Sequence, residues 1–181
     1  MESTSSNKQD VTNSSKYVKK QLRIPRTGIY TKSIIHRPVY ININEVSSSI
    51  KETIELIIKS DIEGICIPNG FVKPNSVNVL SYSGGKIQNG MIRFDSTIEC
   101  LLCNPVEGVI VSCKIRNITK AGIRAEVNEA VVPIVVFVSR DHSVGGNDIE
   151  YSINQEIAVR VIGARFELGD PYVSVIAEIM N

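Results

Sequence analysis

The sequence predicts a small α+β unit followed by an all-β unit, on three observations. One stretch of helical apolar spacing stands near the start, short β-branched pieces punctuated by Gly, Pro and Asn surround it, and after Pro105 the chain reads as five successive strands. With 181 residues, 43% hydrophobic and 22% charged, the chain holds enough apolar material for one large domain or two small ones. A fibrous or wholly disordered protein is excluded by that composition.

The first 15 residues contain Val11 as the sole apolar side chain beyond Met1, too little to offset the entropy of ordering, so residues 1–33 are expected to be a disordered basic tail. Residues 1–37 carry eight Lys or Arg against Glu2 and Asp10, a local charge of +6. The other twelve basic and seventeen acidic residues give −5. Lys16, Lys19, Lys20, Arg23 and Arg26 read either as a phosphate-contacting or targeting stretch or as a solvated linker.

The fold then begins with Pro38–Ile43, where Val39, Ile41 and Ile43 alternate with polar or amphipathic residues at the period of a half-buried strand. Asn44 can cap a helix over residues 45–60. Its apolar face is Val46, Ile50, Ile54, Ile57 and Ile58, with Glu45 and Lys59 placed to suit the helix dipole. Gly64, Pro68-Asn69-Gly70, Pro74-Asn75 and Ser83-Gly84-Gly85 then divide the chain into strands at Ile62–Ile67, Val77–Tyr82, Met91–Phe94 and Thr97–Cys103. This unit, 34–104, ends at Asn104.

Residues 105–181 supply strands at Val106–Ile118, Gly122–Asn128, Val131–Val138, Glu156–Phe166 and Tyr172–Ile179. Turns fall at Lys120-Ala121-Gly122 and Gly169-Asp170-Pro171, with a longer loop through Gly145-Gly146-Asn147. Five strands so spaced match an OB-fold barrel.

Catalytic and metal motifs are weak. Cys100-Leu101-Leu102-Cys103 has CxxC spacing, but no second pair follows and a strand would turn the two thiols to opposite faces. The four cysteines, without a secretory signal, read as reduced thiols. Gly84-Gly85-Lys86 lacks the strand and hydroxyl of a phosphate loop and reads as a hairpin turn. His36 and His142 have no nucleophile or acid partner in pattern, even with Asp141 beside His142, so no catalytic residue, metal or cofactor is expected. No apolar run reaches the ~18 residues of a membrane span, so the expectation is an intracellular protein with no membrane partner.

Binding is the better-supported chemistry. Lys114 and Arg116 fall on one face of the first barrel strand, and Lys120 and Arg124 flank the first hairpin turn, which can line up a positive stripe. OB-folds hold single-stranded nucleic acid by joining such a groove to aromatic platforms. Phe137, with His142 just after its strand, is the candidate platform. Among Val135, Val136 and Val138 it reads equally well as core.

The order of elements resembles a known family. A strand, an amphipathic helix, Glu63-Gly64-x-Cys66, Gly70-Phe71-Val72, Gly90-x-Ile92 and Pro105-x-x-Gly108 leading into a five-stranded barrel is similar to the larger stalk subunit of multisubunit DNA-directed RNA polymerases, the family of the seventh subunit of polymerase II type and its archaeal counterpart. The likeness runs from about Ile34 to Met180. It implies that residues 34–104 form a tip domain docked on the polymerase core subunits through Gly64, Pro68, Gly70, Phe71, Val72, Gly84, Gly85 and Gly90. The barrel of 105–181 would then meet nascent RNA and other factors, with Lys114, Arg116, Lys120, Arg124 and Arg140 as the RNA-face residues the resemblance implies and a smaller stalk subunit as a further partner. Some 35 residues precede the family's usual start, and Cys113 stands where a second Gly often occurs. Those departures, with an Ile content of about 15% against an average nearer 6%, suggest a divergent copy of the kind a large cytoplasmic DNA virus encodes. The expected location is the nucleus, or the cytoplasm and virion for a viral copy. A free-standing OB-fold RNA-binding protein of translation or RNA turnover is the alternative, and a structural virion adaptor a third reading.

Overall fold

A computed structural model describes residues 28–46, 48–139 and 151–180. The described chain is mostly strand, with one α-helix. In order it forms β1 (Thr31–Asn42), a single 3-10 turn (Ile43–Glu45), α1 (Ile50–Ile62), β2 (Cys66–Ile67), β3 (Gly70–Val72), β4 (Asn78–Tyr82), β5 (Lys86–Gln88) and β6 (Met91–Cys103). After these come β7 (Ile110–Ile118), β8 (Gly122–Glu126), β9 (Ile134–Ser139), β10 (Glu156–Arg165) and β11 (Val173–Ile179).

β6 is the spine of the first sheet. It pairs antiparallel with the whole of β1, from Asn42 opposite Met91 to Thr31 opposite Leu102. The other edge of β6 is met in turn by β5, β4 and β3, with β2 beyond β3. Val39 and Ile41 of β1 and Phe94, Ile98, Cys100 and Leu102 of β6 share one face. That face is covered by α1, which buries Ile54, Ile58 and Ile62 at i, i+4 and i+8. Each fully buried Ile adds about 1.5–3 kcal/mol of apolar burial.

Several sequence expectations change. In the barrel, β7 and β9 begin at Ile110 and Ile134, not at Val106 and Val131, and β8 ends at Glu126, not at Asn128. Gly84-Gly85-Lys86 is not a hairpin turn, since β4 and β5 each pair with β6 and not with each other. The helix starts at Ile50, not at Glu45, because the Asn42 side chain accepts from the Asn44 N–H and closes a 3-10 turn there. Ser49 is the helix cap position, its carbonyl taking the Thr53 N–H at 3.1 Å. At its other end the helix absorbs Ile62, leaving Cys66–Ile67 as the next strand. The strand ladder is unbroken from Met91 to Cys103, because Ser96 stays on the inner face with its hydroxyl donating to the Arg37 carbonyl at 2.7 Å. Finally, β1 reaches back to Thr31, so Thr31–Ser33 of the expected tail are strand. Ile29 and Tyr30 just before it pack against the barrel core, with the Lys73 ammonium 4.5 Å from the Tyr30 ring centre.

The second unit is a closed, five-stranded mixed barrel in the order β7-β8-β9-β11-β10, with β10 returning to β7. All neighbours are antiparallel except β9 and β11, which run parallel from Val173 opposite Ile134 to Ile176 opposite Phe137. The arrangement is OB-like. Its core is built from alternate residues, including Val111, Cys113 and Ile115, Ile134, Val136 and Val138, Val159 and Val161, and Val173, Val175 and Ala177. The β7–β8 turn is tight: Thr119 and Gly122 exchange backbone hydrogen bonds across Lys120 and Ala121. Gly122 is required there, since a Cβ would stand 2.1 Å from the Val138 carbonyl oxygen.

The two units share apolar contacts. Cys66, Phe71 and Cys103 belong to the barrel's core cluster, whereas Cys100, three residues before Cys103, belongs to the sheet–helix core. The CxxC thiols do face opposite ways.

Candidate nucleic-acid interface

Cross-strand register places the expected site residues. On the outside of the barrel Asn117, Arg124, Phe137 and Ile176 are successive neighbours on β7, β8, β9 and β11. Phe137 is 44% exposed and Ile176 54%, so both aromatic and aliphatic surfaces are open. With Gly122, Thr119 and Ser139 they line a cleft of about 490 Å³. Phe137 therefore faces outward and is not core, which its apolar neighbours left undecided. An exposed aromatic ring with a basic residue on the neighbouring strand is the kind of surface on which an unpaired base stacks.

One register step away the charge is less simple than the sequence pattern implied. Lys114 lies opposite Glu126 on one side and Glu156 on the other. Glu156 also takes a hydrogen bond from the Ser112 hydroxyl at 2.9 Å. A bulge between Ile115 and Asn117 sets Arg116 as an extra residue in β7, which brings its Nε to 3.1 Å from Glu126 Oε2. Arg124 Nη2 approaches Glu126 Oε1 at 3.0 Å. One carboxylate thus holds both arginines, an oxygen for each. Lys120 is exposed at the β7–β8 turn. The structure brings together Arg116, Arg124 and, through them, Lys114 and Phe137. Arg140 and His142 lie outside the described residues.

Glu126 is the site residue that sequence reasoning missed. Arg124-Ala125-Glu126 puts the two charges on one strand face at period two, which was readable, but the approach of Arg116 depends on the bulge. Ile176 was missed because its partner strand is parallel and distant in sequence.

The expected docking residues divide in two. Phe71 and Val72 are fully buried inside the molecule, and Gly70 is buried where a Cβ would meet the Cys103 carbonyl oxygen at 2.6 Å. These three are structural and present no side chain to a partner. Pro68, Gly84, Gly85 and Gly90 lie at exposed turns, with Gly64 partly buried at the end of α1. At Gly85 an added Cβ would lie 2.6 Å from Ile92 Cγ2. Ile87 and Met91 flank the β5–β6 turn and are exposed, as are Tyr40 on the end of β1 and Ile43 after it.

Among the described residues no group of three His, Cys, Asp or Glu is placed to hold a metal ion. No helix among them is long and apolar enough to cross a membrane. All four thiols are buried, and burial pushes Cys66 up to about 11 and Cys103 and Cys113 up to about 12. Their chemistry is packing. Protein-family models give no match to this chain, and neither do curated proteins.

Proposed function

We propose that this chain is a non-catalytic stalk subunit of a DNA-directed RNA polymerase, held to the polymerase core by the α+β unit and meeting nascent single-stranded RNA on the barrel. The observation that carries the RNA half is the outward row Asn117–Arg124–Phe137–Ile176, which sets Arg124 and the exposed Phe137 opposite each other on adjacent strands of an OB-like barrel. The anchoring half rests on the resemblance in element order, and on the exposed apolar side chains Ile87 and Met91 that flank the β5–β6 turn. In this reading the α+β unit is the tip domain, and polymerisation belongs to other chains.

Affinity purification of the tagged full chain from its native cells or infected host, at moderate salt, tests it. Co-elution of the two largest polymerase subunits is expected. Recovery of ribosomal or RNA-decay proteins without polymerase would overturn the reading in favour of a free-standing RNA-binding barrel.

A further inference from the structure

We propose that Glu126 is a built-in competitor for RNA phosphate, so that a strand binds this face only by displacing the Glu126 carboxylate from Arg116 and Arg124. The inference rests on the reading of the barrel face as an RNA surface and goes beyond it, because it assigns what limits affinity there and which nucleic acids are admitted.

The geometry is that of an occupied anion site. Each Glu126 oxygen takes one guanidinium, at 3.1 and 3.0 Å, as two oxygens of a phosphate would. The Glu126 side chain is 16% exposed, while the two arginines remain 41% and 42% exposed. The carboxylate therefore lies beneath its partners, and the arginine heads are reachable from solvent. Lys114, in register with Glu126, and Glu156 beyond it complete the charged row and nearly cancel each other. Ser112 faces Glu156 and leaves Glu126 to the arginines.

Exchanging a carboxylate for a phosphate replaces like contacts with like, so phosphate alone gains little on this face. The surplus comes from a base stacked on Phe137, next to Arg124 across the β8–β9 pair. A duplex offers phosphates and no free base, and so is refused. Glu126 becomes a specificity-determining residue, turning a basic patch from a general polyanion binder into one that requires an unpaired base.

The test is binding of the full chain to a short oligouridine and to an RNA duplex of equal length, over a range of salt. The variants are Glu126→Gln, Phe137→Ala, the double variant Arg116→Ala/Arg124→Ala, and Glu55→Gln. Glu55→Gln makes the same change in net charge on α1. Glu126→Gln is expected to tighten oligouridine binding about tenfold, as two charge-assisted contacts become available. It should also raise duplex binding at least as much and steepen the salt slope by about 1. Glu55→Gln should change neither. No tightening with Glu126→Gln, or equal tightening with Glu55→Gln, while Phe137→Ala still weakens binding, would overturn the competitor role and leave the RNA face standing. If Phe137→Ala and the double arginine variant both leave oligouridine binding unchanged, the RNA face itself is wrong and the competitor role falls with it.

Discussion

Cys66 and Asp170 are joined by a backbone hydrogen bond, the Cys66 N–H donating to the Asp170 carbonyl at 2.8 Å, and the Gly169 N–H returns to the Cys66 carbonyl at 2.9 Å. The turn between β10 and β11 is thereby fastened along the short strand β2, and the Glu167 N–H on the Asp170 carboxylate keeps the turn closed. Just inside this seam Phe71 and Cys103 enter the barrel core. The sheet unit and the barrel are coupled by both backbone and apolar contacts.

That coupling predicts one cooperative unfolding transition. Phe71→Ala should cost about 3–5 kcal/mol, the usual effect of deleting a buried ring. Denaturant unfolding followed by circular dichroism, with intrinsic tyrosine fluorescence as a second probe, should give coincident curves for the native chain at a higher midpoint than the variant. Two separated transitions in the native chain would show the units to be independent.

Gly122 and Gly163 make a contrasting pair. Gly122→Ala drives a Cβ into the Val138 carbonyl oxygen at a positive φ and should destabilise by about 2–3 kcal/mol. Gly163→Ala, on a strand with no atom within 4 Å of the new Cβ, should change stability by less than about 1 kcal/mol. Thermal melting of the two variants decides between them.

The buried thiols predict an alkaline limit. Burial raises Cys66, Cys103 and Cys113 in the folded protein, so above the ordinary thiol range the unfolded chain has lost protons that the folded chain retains. Stability from these groups is fully present below about pH 9 and is lost as pH rises toward 11–12. Melting temperature should decline over that range, and the declining portion should flatten when Cys113 is replaced by Ala. In native buffer at neutral pH the described thiols should resist a thiol-specific reagent until the protein unfolds.

At the barrel face, Phe137→Ala should weaken single-stranded RNA binding by about 1–3 kcal/mol. Since the ring is exposed and outside the barrel core, its removal should leave the melting temperature almost unchanged. Fluorescence anisotropy beside a melting curve separates the two effects.

Much of the fold was legible where one periodicity dominated. Val39 and Ile41 alternate, Ile54 and Ile58 repeat at helical spacing, and the five barrel strands fall between clear turns. Positions decided by distant partners were not. β1 extends to Thr31 because Leu102 lies opposite it, and β6 runs through Asp95-Ser96 because Arg37 supplies an acceptor for the Ser96 hydroxyl. The site was half legible for a similar reason. Arg116, Arg124 and Phe137 were identifiable by type, yet which way Phe137 pointed among three valines, and that Glu126 held both arginines, depended on register and on a bulge.

The most direct test of the account is a photo-crosslink from 4-thiouridine placed in the nascent transcript of native polymerase complexes, with the crosslinked peptides mapped by mass spectrometry. As a stalk subunit meeting RNA on its barrel, this chain should be present in those complexes and crosslink through the β8–β9 segment around Arg124 and Phe137. Absence of the chain from transcribing complexes, or crosslinks confined to other surfaces of it, would contradict the account.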